Sequence, residues 1–354
     1  MNFRMKFNLP DIVTDALIKF MRLVLTEIGN NECETFCNSL YAAKKFLGLN
    51  DTFVSFVACK KCHKLYKKDE VTNFQQNNQT SVMKCTHVEF PNSAIRRKNI
   101  CNTDLSKQLK LLNGNIINRP ELIFPYVTIQ QQLASMYRHP GFEDNLRHWA
   151  NRPDFGDFLC DIYDGDIWKT FKNAPFDEHS TLFFRPENAD SHLGLILNLD
   201  WFQPYDGTTH STGVLYAVIA NLPRDIWFKR ENMLILDILP GPNELSLHQI
   251  NNYLCPIVNE LESLWHGITL SSTAESLEEK TIRAALILIS CDVPAARKIC
   301  GHISVLVSCY RCKKKANYDN NKHNFGRMQN MDEWFISKDS AIYRQKALEW
   351  RQCD

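Results

Sequence analysis

The order of apolar segments in the second half of the chain limits the folds that this sequence can adopt. Three strand-like runs, 193–202, 212–223 and 232–241, come first. A segment with helical spacing, 246–268, and a further apolar run, 281–292, follow them. Consecutive strands joined to a last strand through one helix predict an α/β (α+β) domain with a mixed sheet and flanking helices.

The first and the last of these strands each end on an aspartate, Asp200 and Asp292. If the two strands are neighbours, both carboxylates project at one edge of the sheet, where their mutual repulsion favours a bound divalent cation. Mg²⁺ (or Mn²⁺) takes such oxygen ligands, and two ions can drive a phosphoryl transfer. The alternative is that each aspartate only begins a turn. Asp237 interrupts its apolar run and is interpreted as structural.

Three stretches around these aspartates give the chain a family resemblance. "LNLDWFQPYDG", "NMLILDILPGPNE" and "SCDVPAARKICG", followed by "CYRC", resemble the catalytic region of CACTA-type (En/Spm-like) DNA transposases. Upstream, "CNSLYAAKKFLGL" and "KCTHVEFPN" extend the resemblance over nearly the whole chain. It implies a ribonuclease H-like fold and a cut-and-paste DDE/D mechanism on transposon-end DNA. Asp200 and Asp292 would then be two of three metal ligands.

The third acidic ligand is not identified in this sequence. The family carries it well beyond the C-x2-C, after an inserted segment, and the chain as given stops at Asp354, apparently inside that segment. Glu333 and Glu349 are the later acids, and neither is assigned the role. A fragment or a decayed copy is therefore one interpretation. The rival functions are a non-catalytic, transposon-derived zinc protein that binds DNA or protein partners, and a host nuclease on the same fold.

Thirteen cysteines and the lack of a signal-like segment predict reduced, metal-binding thiolates in an intracellular protein. Zn²⁺ takes four sulfur or nitrogen ligands, which paired knuckles commonly supply. The expected structural zinc ligands are Cys59, Cys62, Cys85 and Cys101, with His87 as a substitute. Free buried thiols and a redox dithiol are the alternatives.

A second C-x2-C, Cys309 and Cys312, predicts a second zinc site. Its candidate partners are Cys300, His302 and His323.

Positive charge is concentrated around the first cysteine group, although the whole chain has a net charge of only +1. The segment between residues 59 and 110 contains eleven Lys and Arg residues but only four acidic residues. Such a basic zinc module favours binding to DNA phosphates, whereas the alternative is a solvated lysine face. The DNA-binding candidates are Lys60, Lys61, Lys64, Lys67, Lys68, Arg96, Arg97 and Lys98.

The sequence predicts five regions. They are an N-terminal helical segment (1–52), the zinc module (53–110), a helical linker (111–190), the first part of the catalytic core (191–300) and the start of the inserted segment (301–354). Two helices broken at Pro140-Gly141 are expected within 127–150. No apolar stretch approaches the ~20 residues of a membrane span. The family resemblance implies DNA and further copies of the chain as partners, and the nucleus as the compartment.

Overall fold

A computed structural model gives the architecture of the chain. It describes residues 9–28, 36–46, 53–76, 79–88, 98–153, 155–156, 158–174, 179–207 and 209–299, and then 317–319, 321–324, 336, 339, 341–342 and 345. The chain divides into two compact units, 1–53 and 54–354.

The N-terminal unit contains two helices, α1 (Asp11–Glu27) and α2 (Leu40–Phe46). A carboxylate oxygen of Asp15 accepts the backbone N–H of Leu40 at 2.8 Å and therefore links α1 to α2. Lys19, one turn further along α1, forms an ion pair with the same carboxylate at 2.7 Å. The bond from Leu40 to Asp15 satisfies a backbone N–H in the first turn of α2, where a helix has no acceptor of its own.

The second unit begins with a small β module. In its three-stranded sheet, β1 (Val54–Ala58) pairs antiparallel with β2 (Leu65–Lys67) and with β7 (Ile123–Tyr126). The remaining elements are α3 (Lys68–Thr72), β3 (Gln75–Gln76), β4 (Gln79–Thr80), β5 (Ser106–Lys110) and β6 (Ile116–Pro120). Both β6 and β7 lie where the sequence predicts a helical linker. They are strands because β5 and β1 offer them antiparallel partners.

Short helices connect this module to the main sheet. They are α4 (Ile129–Met136), α5 (Phe142–Arg147) and α6 (Asp166–Thr170), with 3₁₀ turns at His148–Asn151, Ile162–Asp164 and Pro186–Asn188. The side chain of Thr128 caps α4 by accepting the N–H of Gln131. Gly141 lies at the break between α4 and α5 with a positive φ of 79°, which glycine adopts without steric penalty.

The main sheet has five strands in the order β10-β9-β8-β12-β11. Their bounds are β8 His192–Phe202, β9 Thr212–Ile219, β10 Met233–Leu239, β11 Ile268–Leu270 and β12 Lys280–Ile289. The strands β8, β9 and β10 form an antiparallel meander, with 3₁₀ turns at Arg224–Ile226 and Arg230–Asn232 before β10. β12 returns parallel to β8. The predicted first and last strands are therefore neighbours.

One long helix, α7 (Leu247–His266), connects the meander to the last two strands. Ser246 and Gln249 form a capping box at its start, and the helix continues across Pro256. Its buried face carries Ile250, Tyr253 and Ile257. A shorter helix, α8 (Val293–Ile299), follows β12. Two further strands, β13 (Asn317–Asp319) and β14 (Lys322–Asn324), come later and pair antiparallel with each other.

The mixed sheet with flanking helices confirms the predicted fold class, and it is compatible with a ribonuclease H-like α+β fold. Its core is rich in aromatic rings: Trp168 stacks on Phe184 with centroids 3.9 Å apart, and both rings crowd the position of Gly194 on β8. A side chain at Gly194 would overlap the Trp168 ring. Within the described residues, no helix is both long enough and apolar enough to cross a bilayer.

Candidate active site and metal centre

Four cysteines of the β module meet in one cluster: Cys59, Cys62, Cys85 and Cys101. Their sulfur atoms all lie within 4.8 Å of one another. Two of the separations are 3.7 Å, for Cys59 and Cys101, and 3.4 Å, for Cys62 and Cys85. Sulfurs bound to one tetrahedral zinc at about 2.3 Å stand about 3.8 Å apart, so the cluster has the dimensions of a Cys₄ metal site.

The backbone around the cluster prepares these sulfurs for a cation. The N–H groups of Lys61, Lys64 and His87 point at the sulfurs of Cys59, Cys62 and Cys85, in each case from two residues downstream. The Cys62 thiol also donates to Cys59 and lowers the pKa of the Cys59 thiol well below its ordinary value. Hydrogen bonds to the thiolate stabilise its charge, and thiolates are the form that binds zinc.

The donor set is the one that the sequence predicts, and it fits Zn²⁺, which prefers four sulfur or nitrogen ligands in a closed site. His87, the proposed substitute, is not a member of the cluster. The predicted second site, Cys309 and Cys312 with Cys300 and His302, lies outside the described residues, as does the side chain of His323.

The first knuckle of this cluster packs directly on α7. The carbonyl oxygens of Lys61 and Cys62 accept hydrogen bonds from the side chains of Gln249 and Asn252, at 3.1 and 3.2 Å. The Nδ1 atom of His63 lies 2.8 Å from the hydroxyl of Tyr253. These partners lie on successive turns of one helix face, so the position of α7 and the shape of the knuckle depend on each other.

Asp200 lies near the carboxyl end of β8, opposite Val214 on β9, and it is exposed. Its exposure removes the desolvation penalty that a carboxylate inside the apolar strand would carry. Asp292 lies three residues beyond Ile289, the last residue of β12 paired with β8, and it is also exposed. Because β8 and β12 are parallel, their carboxyl ends bring both aspartates to the same edge of the sheet.

Asp292 also begins a helix. Its Oδ1 accepts the N–H of Ala295 at 2.8 Å, and its carbonyl oxygen accepts the N–H of Ala296. One oxygen thus caps α8, as the alternative interpretation requires. In the part of the chain that the structure describes, no group of three His, Cys, Asp or Glu side chains close enough to hold one ion includes Asp200 or Asp292. Glu333 and Glu349 lie outside that part.

Comparison with known proteins bears on this edge. Residues 158–348 match the sequence profile described as transposase family tnp2. The chain belongs to that family. The match contains the whole main sheet, Asp200 and Asp292, and it begins after the cysteine cluster. No curated protein matches the chain.

The end of the sheet that carries Asp200 and Asp292 contains a further ion pair that the sequence did not predict. Lys298 of α8 contacts Glu244, in the loop between β10 and α7, at 2.5 Å. The ammonium group also lies 4.8 Å from the ring centroid of Trp201, the neighbour of Asp200. The sequence shows Glu244 two residues after Pro242, in the loop that follows β10. A carboxylate in a loop does not by itself indicate which cation it will pair with.

Asp237 of the transposase is buried on β10, with 3% of its surface exposed, in agreement with a structural role. Neither carboxylate oxygen makes a hydrogen bond among the described residues. Burial raises the pKa of Asp237 to about 8. Its charge contributes to raising the pKa of Tyr126 and Tyr253, which places it where the β module and α7 meet.

The predicted DNA-binding lysines surround the first knuckle of the transposase. Lys60, Lys61, Lys67 and Lys68 are exposed, whereas Lys64 is half-buried with its ammonium group 5.8 Å from the Tyr66 ring centroid. Lys98 is exposed, and Arg96 and Arg97 lie outside the described residues. One of these charges is partly neutralised, because Lys60 pairs with Glu121 at 2.6 Å.

Proposed function

We propose that this tnp2-family protein is a cut-and-paste DNA transposase of the CACTA type that performs metal-dependent polynucleotidyl transfer on transposon-end DNA. The observation that carries the proposal is the parallel pairing of β8 with β12. It brings Asp200 and Asp292 to one edge of a sheet compatible with the ribonuclease H-like fold, inside the region that matches a transposase family.

Asp200 and Asp292 are the proposed ligands of Mg²⁺ or Mn²⁺, which supplies charge stabilisation to the attacking and leaving oxygens when bound. Two carboxylates together with substrate phosphates are a usual ligand set for Mg²⁺. Asp200 is carried by the rigid central strand. Asp292 is held by its capping bonds to α8, which fix the position of its carboxylate.

Zinc in the Cys₄ cluster has a structural role in this proposal. It stabilises the β module, whose own core is small, and fixes the knuckle against α7. The exposed lysines around the knuckle then attract the DNA backbone through sequence-independent charge contacts. The proposal includes self-association in a transposition complex and a nuclear location. Light scattering with and without DNA, and imaging of a tagged chain, test those two parts.

Substitution of each aspartate tests the catalytic proposal. We expect Asp200→Asn and Asp292→Asn to reduce Mg²⁺-dependent cleavage of DNA carrying the element's own ends to background, with DNA binding largely retained. Asp225→Asn is the matched control, because Asp225 is an exposed aspartate in a 3₁₀ turn away from the edge. Cleavage by both edge variants at the wild-type rate would show that the site is assigned wrongly.

A non-catalytic zinc protein that binds DNA or protein partners is the second candidate. The observation that favours it is the missing third acid near Asp200 and Asp292 within the described residues. The same assay separates the two functions, since a binding protein retains DNA without cutting it. A nuclease on this fold would cut the DNA but would not join the 3′ end to a target.

A further inference from the structure

A cleft of about 270 Å³ lies between the zinc knuckle and the first turn of α7. One wall is formed by the β module, including Lys61, His87 and Ile100, and it borders Cys62 and Cys101 of the cluster. The other wall is formed by the residues that begin α7, Ser246, His248 and Gln249. The cleft therefore exists only because the knuckle and α7 are joined, as described above.

The lining of the cleft has the chemistry of an anion site. Lys61 carries a positive charge, and the imidazole rings of His87 and His248 are further polar groups of the lining. Among the described residues that line the cleft there is no Asp or Glu, and its two cysteines, Cys62 and Cys101, belong to the cluster, where bound zinc would offset part of their thiolate charge. Lysine, imidazole N–H and hydroxyl groups are donors that proteins direct at phosphate oxygens.

The position of the cleft relates it to the proposed catalytic edge. At that edge the end of β8 lies beside the start of β9, where Phe202 pairs with Thr212. The end of β10 lies in the same place, since Leu239 pairs with Gly213. The short loop from Leu239 to Ser246 then leads into α7. The cleft at the start of α7 is consequently at the same end of the sheet as Asp200 and Asp292.

We propose that this cleft binds a backbone phosphate of the DNA that the catalytic edge acts on, so that the β module and the main sheet hold one DNA molecule together. This inference rests on the proposed function, which it extends by naming a second contact shared by two parts of the chain. The ligand class is a phosphodiester. The donors read no bases, so the contact adds affinity without sequence preference.

Charge inserted at Ile100 tests the proposal. Ile100 lines the cleft and is 62% exposed, so a longer polar side chain fits there without disturbing a core. We expect Ile100→Glu to weaken binding of a labelled duplex of mixed sequence by about tenfold, measured by fluorescence anisotropy without Mg²⁺. We expect Ile100→Lys to strengthen binding and to steepen the dependence of log K on log salt by about 0.9, the increment for one phosphate contact.

Ile116→Glu is the matched control, because Ile116 is 50% exposed on β6 and is not part of the cleft lining. It should bind the duplex within about twofold of wild type, since an exposed charge that does not line the cleft is largely screened by salt. Opposite effects of Glu and Lys at Ile100 support the cleft, because loss of stability cannot strengthen binding. Equal effects of the two, or no effect of either, would overturn the proposal.

The double variant Lys61→Gln, His248→Gln provides a second test. It should lower affinity and reduce the salt slope, with zinc content and thermal unfolding unchanged. Wild-type slope and affinity in this variant would also overturn the cleft. Failure of the wild-type chain to bind the duplex is a separate outcome: it removes the DNA-binding part of the proposed function. If the wild-type chain binds the duplex and no cleft variant changes that binding, the cleft proposal is rejected and the proposed function is unaffected.

Discussion

Lys298 holds Glu244 at 2.5 Å while its ammonium group lies over the ring of Trp201. The contact joins three elements: α8, the loop that leads into α7, and the end of β8. Asp292 begins the first of these elements, and Asp200 precedes Trp201 in the third. One cation therefore connects the two elements that carry the proposed metal ligands.

Replacement of Lys298 should weaken metal affinity while changing the stability of the fold very little. We expect Lys298→Met to raise the Mg²⁺ concentration needed for half-maximal cleavage, because α8 and Asp292 lose their link to the end of β8. The free energy of unfolding should fall by no more than about 1 kcal/mol, which is usual for a partly exposed ion pair. Lys298→Arg should restore the Mg²⁺ requirement. A variant with unchanged Mg²⁺ requirement would leave the ion pair without a role in positioning.

Metal content tests the cysteine cluster. The wild-type chain should contain zinc bound by Cys59, Cys62, Cys85 and Cys101, and Cys85→Ser should lose it together with the cooperative unfolding of the β module. Cys255→Ser is the control, since Cys255 is exposed on α7 and outside the cluster. Elemental analysis and thermal unfolding give the two readouts. Full zinc content in the Cys85 variant would contradict the assigned ligand set.

The buried carboxyl of Asp237 should make stability depend on pH. Its pKa is about 8 in the folded chain against about 4 when unfolded, so the folded state binds the proton more tightly. The stabilisation that this one group contributes is therefore complete below about pH 4 and is lost as the pH rises towards 8, by up to about 1.4 kcal/mol per unit.

The test compares Asp237→Asn with wild type in urea unfolding across this pH range. Asparagine cannot ionise, so the variant should become more stable relative to wild type with each step upward in pH. Tyr126 and Tyr253 are coupled to Asp237, but burial raises the pKa of both above this pH range, and Glu260 is present in both proteins. A pH-independent difference would show that Asp237 does not titrate in this range.

Asn221 should be the most sensitive polar position of the main sheet. It is fully buried, accepts the N–H of Gly194 at 2.8 Å, and donates to the carbonyl oxygens of Ala189 and His192. Asn221→Ala strands all three backbone groups, so we expect a loss of about 3 kcal/mol in the free energy of unfolding. Asn251→Ala, exposed on α7, should change stability by less than about 0.5 kcal/mol.

Much of the fold could be predicted from the sequence because its strong elements are long and locally consistent. The strands β8, β9, β10 and β12 and the helix α7 all lie where apolar runs and helical spacing predict them. The Cys₄ set was also predictable, since ligand spacing limits the arrangements that a zinc site allows. Short elements were not. The strands β6 and β7 depend on pairing with β5 and β1, which local sequence does not encode.

The missed features are contacts between segments that are distant in the chain. Nothing local relates Lys298 to Glu244, or the knuckle at Lys61 to Gln249 on α7. The same limitation applies to Asp237, whose alternation with apolar neighbours indicated burial but not the lack of hydrogen-bond partners. Periodicity reports which face of an element is buried; it does not report what lies against that face.

The parallel pairing of β8 with β12 also has a consequence in time. The β8-β9-β10 meander closes through short connections, whereas β12 emerges only after α7 and β11 have been made. Pairing over a long separation costs more loop-closure entropy, so we expect β12 to join the sheet last. During synthesis on the ribosome, Asp200 would therefore lie on a sheet that lacks β12 until residue 292 had been translated. A nascent chain would thus lack the pair of proposed metal ligands until most of the sheet was already built.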